Sequence, residues 1–312
     1  MENLLVNKVA AVKEVRQAAE YQKKKQACIL TGLAGSSKPV FFAAADKLLG
    51  GNGSMAFITA SREEIRTYRR ELNYLYPDLP MQELYPVSLP RVQADTQSLE
   101  LQAGRAAALR FLSGEERGIV FITAEALQQK QLRPSGMSGK ALQLAVGEEH
   151  EQRNIAAALL DLGYERTEQV DALGQFCLRG DILDVYPINS SAAVRIEWFD
   201  NELDAMRSFD VDTQRSLQTL TSIKIAPLKV DESFSYDADI FEYCAADTMV
   251  VVDEPVHVFS MLEKLDKENK EHASELFGKQ ELIEQLAANA AVLVSALGHS
   301  YLQQLPSLNI PV

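Results

Sequence analysis

The stretch Ile29-Leu-Thr-Gly32-Leu-Ala-Gly35-Ser-Ser-Lys38-Pro39-Val40 passes from an apolar segment through a glycine-containing break into a helical pattern. Ala27–Leu30 reads as a short buried strand, and Val40–Leu49 resumes with helical spacing, so the order is strand, loop, helix. That is the setting of a phosphate-binding loop, where backbone N–H groups at a helix N-terminus face an anion. The residue types depart from an active loop. The pattern GxxxxGK[ST] needs a glycine before its lysine, so that backbone can approach phosphate, and a hydroxyl after it for Mg2+. Here Ser37 and Pro39 flank Lys38, and Pro39 offers neither a hydroxyl nor an N–H.

Outward from this segment, strands and helices alternate. Asn7 to about Lys25 has helical spacing in Val9, Val12, Val15, Ala18 and Ala19, and it leads into the first strand. Met55–Thr59 reads as a second strand, and Ser61 with Glu64 forms a capping box for a helix to about Leu75. A short strand near Gln82–Tyr85, a loop with Pro86 and Pro90, a helix from about Asp95 to Leu112 and the strand Gly118–Thr123 follow. Such alternation implies a parallel sheet covered by helices on both faces.

After about Ser138 the pattern changes. Lys140–Val146, Thr167–Val170, Gln175–Leu178, Ile182–Tyr186, Val194–Phe199 and Arg207–Val211 read as short strands between turns, with one helix near Glu151–Leu162. From about Ile223 the alternation returns, with a helix near Asp237–Cys244, the strand Thr248–Val252, helices across Val256–Ala290 and the strand Ala291–Ser295. This second stretch is expected to complete the first sheet. The segment Met249-Val-Val-Val-Asp253-Glu254 is an apolar strand ending in two carboxylates, as in strands that hold Mg2+ and position water in nucleotide hydrolysis. The final residues, Leu305 to Val312, show no capped element, as a cut inside a larger protein would leave.

Composition removes several classes of function. The chain has 312 residues with 31 Lys+Arg, 44 Asp+Glu and a formal net charge of −13, which disfavours a free-standing nucleic-acid binder. The run Lys23-Lys24-Lys25 suits a solvated helix C-terminus. No apolar run reaches the roughly 20 residues of a membrane span, and the charged N-terminus lacks a signal core, so a cytoplasmic location and no membrane partner are expected. Cys28, Cys177 and Cys244 are far apart, and His150, His257, His272 and His299 form no ligand set, so no metal is expected. There is no GxSxG elbow and no Ser/His/Asp or Cys/His constellation pointing to nucleophilic catalysis.

Between Gly163 and Ser216 the basic residues are Arg166, Arg179, Arg195, Arg207 and Arg215, among eleven acidic residues and no lysine. A net negative segment is a poor phosphate binder, but isolated arginines suit forked pairing with carboxylates, either of a protein partner or within the fold.

Three runs carry a resemblance. Gly174-Gln-Phe-Cys-Leu-Arg179-Gly180-Asp181-Ile-Leu-Asp184-Val-Tyr-Pro187, then Val194-Arg195-Ile-Glu197-Trp-Phe199-Asp200-Asn-Glu202-Leu-Asp204, then Arg207-Ser-Phe209-Asp210-Val-Asp-Thr-Gln214-Arg215-Ser216 resemble the N-terminal, UvrB-homologous region of the bacterial transcription-repair coupling factor (Mfd) family. The Arg-Gly-x-Ile-Leu-Asp-x-Tyr-Pro core is shared in outline with UvrB, while the ending Phe-Asp-x-x-x-Gln-Arg-Ser favours the coupling factor. In place of that family's Trp-Glu-x-Leu-Pro loop stands Leu79-Pro-Met-Gln-Glu83-Leu84-Tyr85-Pro86, followed by the helix with Arg105, so no damage-related role is carried over to that loop. Cys177 stands where UvrB carries another arginine.

The resemblance implies an α/β fold: a degenerate helicase-like (P-loop NTPase-like) parallel sheet domain with an inserted α+β domain. The implied borders are 1–138 for the first part of the helicase-like domain, 139–227 for the inserted UvrA-binding domain and 228–312 for the second part. It implies a non-catalytic adaptor that recruits UvrA by mimicking UvrB, with Arg166 and Arg179 as partner-binding residues and Phe176 as an adjacent apolar contact. Gly32, Gly35, Lys38 and Pro39, with Asp253 and Glu254, would be a nucleotide site that holds no cofactor. Binding of RNA polymerase and double-stranded DNA would belong to the full-length protein. The rival reading is a helicase-type domain in which Lys38, Asp253 and Glu254 still bind ATP, and a third is a module that only packs against the rest of its parent.

Overall fold

The computed structural model describes residues 4–89, 99–134, 141–228, 236–297 and 305–310. It divides into two compact units, one built from the two ends of the chain with residues 108–131, the other mainly from Leu132–Asp237.

The first unit holds a seven-stranded sheet in the order Ser307–Asn309, Cys28–Thr31, Val292–Ser295, Met249–Asp253, Met55–Thr59, Ile119–Thr123, Met81–Leu84. Every pairing is parallel. Three central strands are buried at every residue, as a parallel sheet covered on both faces requires. Alternate side chains feed two cores. Met55, Phe57, Ile119, Phe121 and Val251 join the helices Lys13–Lys23, Ser37–Leu48 and Arg62–Leu75 on one face. Ala56, Ile58, Val120, Ile122, Val250 and Val252 meet Pro255–Glu268 and Lys279–Ala288 on the other. The returning alternation after Ile223 therefore completes the first sheet.

Several local expectations change. The single helix expected over Asn7–Lys25 is two, Leu4–Ala10 and Lys13–Lys23, because Val12 is extended, with ψ 135°, and starts the second helix. The apolar spacing runs through the break unaltered, so periodicity could not show it. The helix expected near Asp237–Cys244 is instead the strand Tyr236–Ala238 and one 3-10 turn, Ile240–Tyr243, capped by the Asp239 carboxylate, which accepts from the N–H groups of Phe241 and Glu242. The chain end is not unstructured: Ser307–Asn309 adds a strand beside Cys28–Thr31. The capping box at Ser61 and Glu64 forms. Pro90, the helix start near Asp95 and the border at residue 138 lie outside the described residues.

The second unit holds a six-stranded sheet in the order Ser216–Leu220, Glu202–Phe209, Ala193–Phe199, Ile182–Val185, Gln175–Arg179, Glu165–Arg166. Its pairings are antiparallel except the last. One face is apolar: Phe176, Leu183, Val185, Val194, Ile196, Trp198 and Met206 pack with Ile155 and Leu159 of the helix Gln152–Asp161. The strand expected over Thr167–Val170 lies earlier, at Glu165–Arg166, because the Thr167 hydroxyl donates to the Gln169 carbonyl and turns the chain. Ser216–Leu220 was not anticipated as a strand; it is solvent-facing at nearly every residue and so has no apolar alternation to read.

Candidate functional site

Lys38 lies in the first turn of the helix Ser37–Leu48, where Pro39 needs no N–H partner, and is 5% exposed. Its ammonium donates to Asp253 Oδ1 and Glu254 Oε1, each at 2.6 Å. The strand Met249–Asp253 delivers both carboxylates. Glu254 stands in the left-handed region, with φ 41°, and also accepts from the Ser295 hydroxyl and the Ala296 N–H, each at 2.9 Å. The residues marked out as a nucleotide site are thus brought together, and the lysine that would meet phosphate is held by the carboxylates that would hold Mg2+.

The electrostatics follow. Burial pulls the Lys38 pKa down, but hydrogen bonds and charge from Asp253 and Glu254 outweigh it and raise the value. Burial pushes the Glu254 carboxyl up, and Lys38 with the Ala296 N–H and Ser295 hydroxyl overcomes this and holds it low. The Tyr68 hydroxyl, buried and bonded to Asp253, is raised far above its usual range.

The loop itself is self-contained. Ser37 Oγ donates to the Ala34 carbonyl at 2.7 Å and accepts from the Ala34 N–H at 3.0 Å. Gly32 has φ 88°, and a Cβ there would lie 2.3 Å from the Ile310 carbonyl oxygen. Ile310 is fixed in turn by its N–H on the Thr31 carbonyl at 2.9 Å. Gly35 has φ 53° and open space around it. We expect Gly32→Ala to cost about 1–3 kcal/mol from backbone strain alone, before the clash, read as a lower urea midpoint; an unchanged midpoint would refute this account of the glycine. Among the described residues no group of three His, Cys, Asp or Glu side chains is placed to hold a metal, and no helix is long and apolar enough to cross a membrane.

In the second unit, the face of the six-stranded sheet opposite its core is lined with charge. Arg179 is in register with Ile182 and, one strand on, Glu197; Cys177 is in register with Asp184, Arg195 and Arg207. Asp184 is 2% exposed. Arg195 grips it bidentately, Nε to Oδ1 at 2.6 Å and Nη2 to Oδ2 at 2.8 Å, and lies over the Phe209 ring at 4.7 Å. The bond to Asp184 holds the Arg195 guanidinium above its already high pKa. Arg179 reaches the same carboxylate at 3.3 Å with a side chain 55% exposed. Arg207 pairs with Glu197 at 2.6 Å.

Arg166 is exposed on the edge strand and has no ion pair among the described residues. It is in register with Phe176, whereas Arg179 is three residues further along that strand, so the two arginines stand on opposite faces. Phe176 is fully buried in the core. Phe176, expected to be an apolar contact beside Arg179, packs beneath the sheet in this fold, with no exposed ring surface. The charged group of Asp184, Arg195, Glu197 and Arg207, on two adjacent register rows of one face, was not singled out as a unit from the sequence, although the alternation in Val194-Arg195-Ile196-Glu197-Trp198 carried the signal.

With one sheet face apolar and the other charged, the second unit has a form that can be compared with known domains. Residues 142–230 match the UvrB interaction domain family. The chain is similar to bacterial transcription-repair-coupling factors, as the motifs around Arg179, Arg195 and Gln214 suggest. It is 36% identical over 202 residues to that of Bacillus subtilis (strain 168), covering 64% of this chain and 17% of the relative. The corresponding protein of Escherichia coli (strain K12) is 28% identical over 165 residues, 53% of this chain and 14% of the relative. That of Staphylococcus haemolyticus is 32% identical over 202 residues, 64% and 17%. The chain spans 17% or less of the length of these curated relatives.

Proposed function

We propose that this chain is a non-catalytic adaptor module of a transcription-coupled nucleotide excision repair factor, recruiting UvrA through an inserted domain over about residues 139–227 that mimics UvrB. The observation that carries the reading is the charged sheet face of a domain that matches the UvrB interaction family, with Arg179 half exposed on it and Arg166 exposed on the edge strand, on the other face. A cytoplasmic location fits such a role. Binding of RNA polymerase and double-stranded DNA is assigned to the remainder of the full-length protein.

Titration of purified UvrA with the chain and with an Arg166→Ala/Arg179→Ala variant, at two salt concentrations, tests the reading. We expect a loss of about 2 kcal/mol or more, some thirtyfold in Kd, if these arginines are interface hot spots. Because they occupy opposite faces, the single variants add information: a partner that wraps the edge loses affinity with both, and one that docks on the open face loses it with Arg179→Ala. Unchanged binding of the double variant would overturn the assignment of these residues.

A second reading is favoured by the sheet order, which gathers Lys38, Asp253 and Glu254 as a nucleotide-dependent helicase domain would. The ion pairs support the first reading over it, since ATP would have to displace from Lys38 the buried Asp253 carboxylate and the half-buried Glu254 carboxylate. ATP titration is expected to give no saturable binding; saturation would restore the rival.

A further inference from the structure

We propose that Phe199 is the apolar anchor of the open sheet face, entering a hydrophobic pocket on the protein partner whose rim offers a carboxylate to Arg179. The inference rests on the adaptor reading and adds to it the residue at which the partner's apolar contact is made.

Phe199 ends the strand Ala193–Phe199 and is 78% exposed. Along that strand Val194, Ile196 and Trp198 are in the core, so Arg195, Glu197 and Phe199 stand on the other face. Arg179 and Glu197 share a register row two strands apart, about 10 Å, and Phe199 lies two residues, about 7 Å, beyond Glu197. The aromatic ring and the most exposed arginine of the face therefore fit within one docking patch.

The ring is also displayed on a rigid base. Phe199 pairs with Glu202 across a two-residue turn in which Asp200 adopts φ 60°. The His150 N–H donates to the Asn201 carbonyl at 2.9 Å, and Trp198 Nε1 donates to the His150 carbonyl at 2.9 Å. The backbone on both sides of Phe199 is thus held, which lowers the ordering cost of burying the ring on binding.

Charge alone is a poor basis for recognition by this surface. Arg195 and Arg207 are already spent on Asp184 and Glu197, and the surrounding segment carries eleven acidic residues against five arginines. A partner presenting only carboxylates would be repelled by most of it. An aromatic side chain in a desolvated pocket, with one arginine beside it, is the usual composition of an interface centre. Phe209 on the same sheet is covered by Arg195; Phe199 has no such cover and is left to the partner.

The test uses the full chain with Phe199→Ala and Phe199→Leu, titrated against purified UvrA beside the Arg166→Ala/Arg179→Ala variant. Phe199→Ala should weaken binding tenfold or more, by a factor that stays the same at both salt concentrations, with Phe199→Leu recovering most of it and both variants melting as the wild type does. If Phe199→Ala binds within twofold of wild type while the arginine variant loses affinity, the anchor is overturned and the adaptor reading stands. If wild type itself fails to bind, both fall. A loss that Phe199→Leu does not recover overturns the pocket.

Discussion

Replacing Lys38 by methionine is expected to cost about 3–5 kcal/mol of stability, the range for breaking a buried ion pair from one side. Asp253 and Glu254 would be left without the ammonium that both now hold at 2.6 Å, in a position where Lys38 is 6% and Asp253 7% exposed at the side chain. Equilibrium urea denaturation would show it as a large drop in midpoint. Adding Asp253→Asn and Glu254→Gln should restore much of the loss, because neutral amides are far less costly to bury than unpaired carboxylates. A single-variant loss below about 1 kcal/mol would refute the view that the triad is a buried, charged keystone.

The same triad sets a pH signature. The Glu254 pKa is depressed in the folded chain, so its contribution is present above the unfolded carboxyl value, about 4.3, and is lost as pH falls through the folded one. The Lys38 pKa is raised, so its contribution is complete below the unfolded value, about 10.4, and is lost as pH rises through the folded one. In Lys38→Met the ammonium no longer opposes burial, so the Glu254 carboxyl rises in the folded variant, and the stability difference from wild type should be largest at mildly alkaline pH, shrinking as pH falls through that raised value and again as pH rises through the folded Lys38 pKa. A difference that does not change as pH falls from about 8 to about 4 would show that Lys38 does not set the Glu254 titration.

The second large effect is expected from Asp184→Ala. Asp184 is buried and takes both arms of Arg195 as well as Arg179. Its removal strands the Arg195 guanidinium, whose side chain is 17% exposed. We expect a loss of about 3 kcal/mol, the low end of the range for a broken buried pair, since Arg195 keeps some access to water. Asp184→Asn should cost less, because the amide oxygen still accepts from an arginine. A denaturation midpoint for Asp184→Ala equal to wild type would show that the arginine row is held by packing and not by this carboxylate.

The sequence by itself determined the layered architecture. Strands such as Met55–Thr59, Ile119–Thr123 and Met249–Asp253 are continuous apolar runs because both faces of a parallel sheet are buried, and that demand is written locally, residue by residue. The flanking of Lys38 by Ser37 and Pro39 was equally local, as was the Arg179-Gly180 to Asp184 motif that marks the inserted domain.

Tertiary structure alone decided what these residues do. Lys38 and Asp253 are 215 positions apart, and their ion pair exists because sheet order puts one strand, Val292–Ser295, between the strands that precede Lys38 and end in Asp253. Ser307–Asn309 is too short to carry a periodic signal and becomes a strand through the edge offered by Cys28–Thr31. Register, not spacing, put Arg166 and Arg179 on opposite faces, buried Phe176 and left Phe199 in water. Apolar periodicity is a property of neighbouring residues, whereas a charge's partner and a side chain's face depend on which distant strand lies beside it.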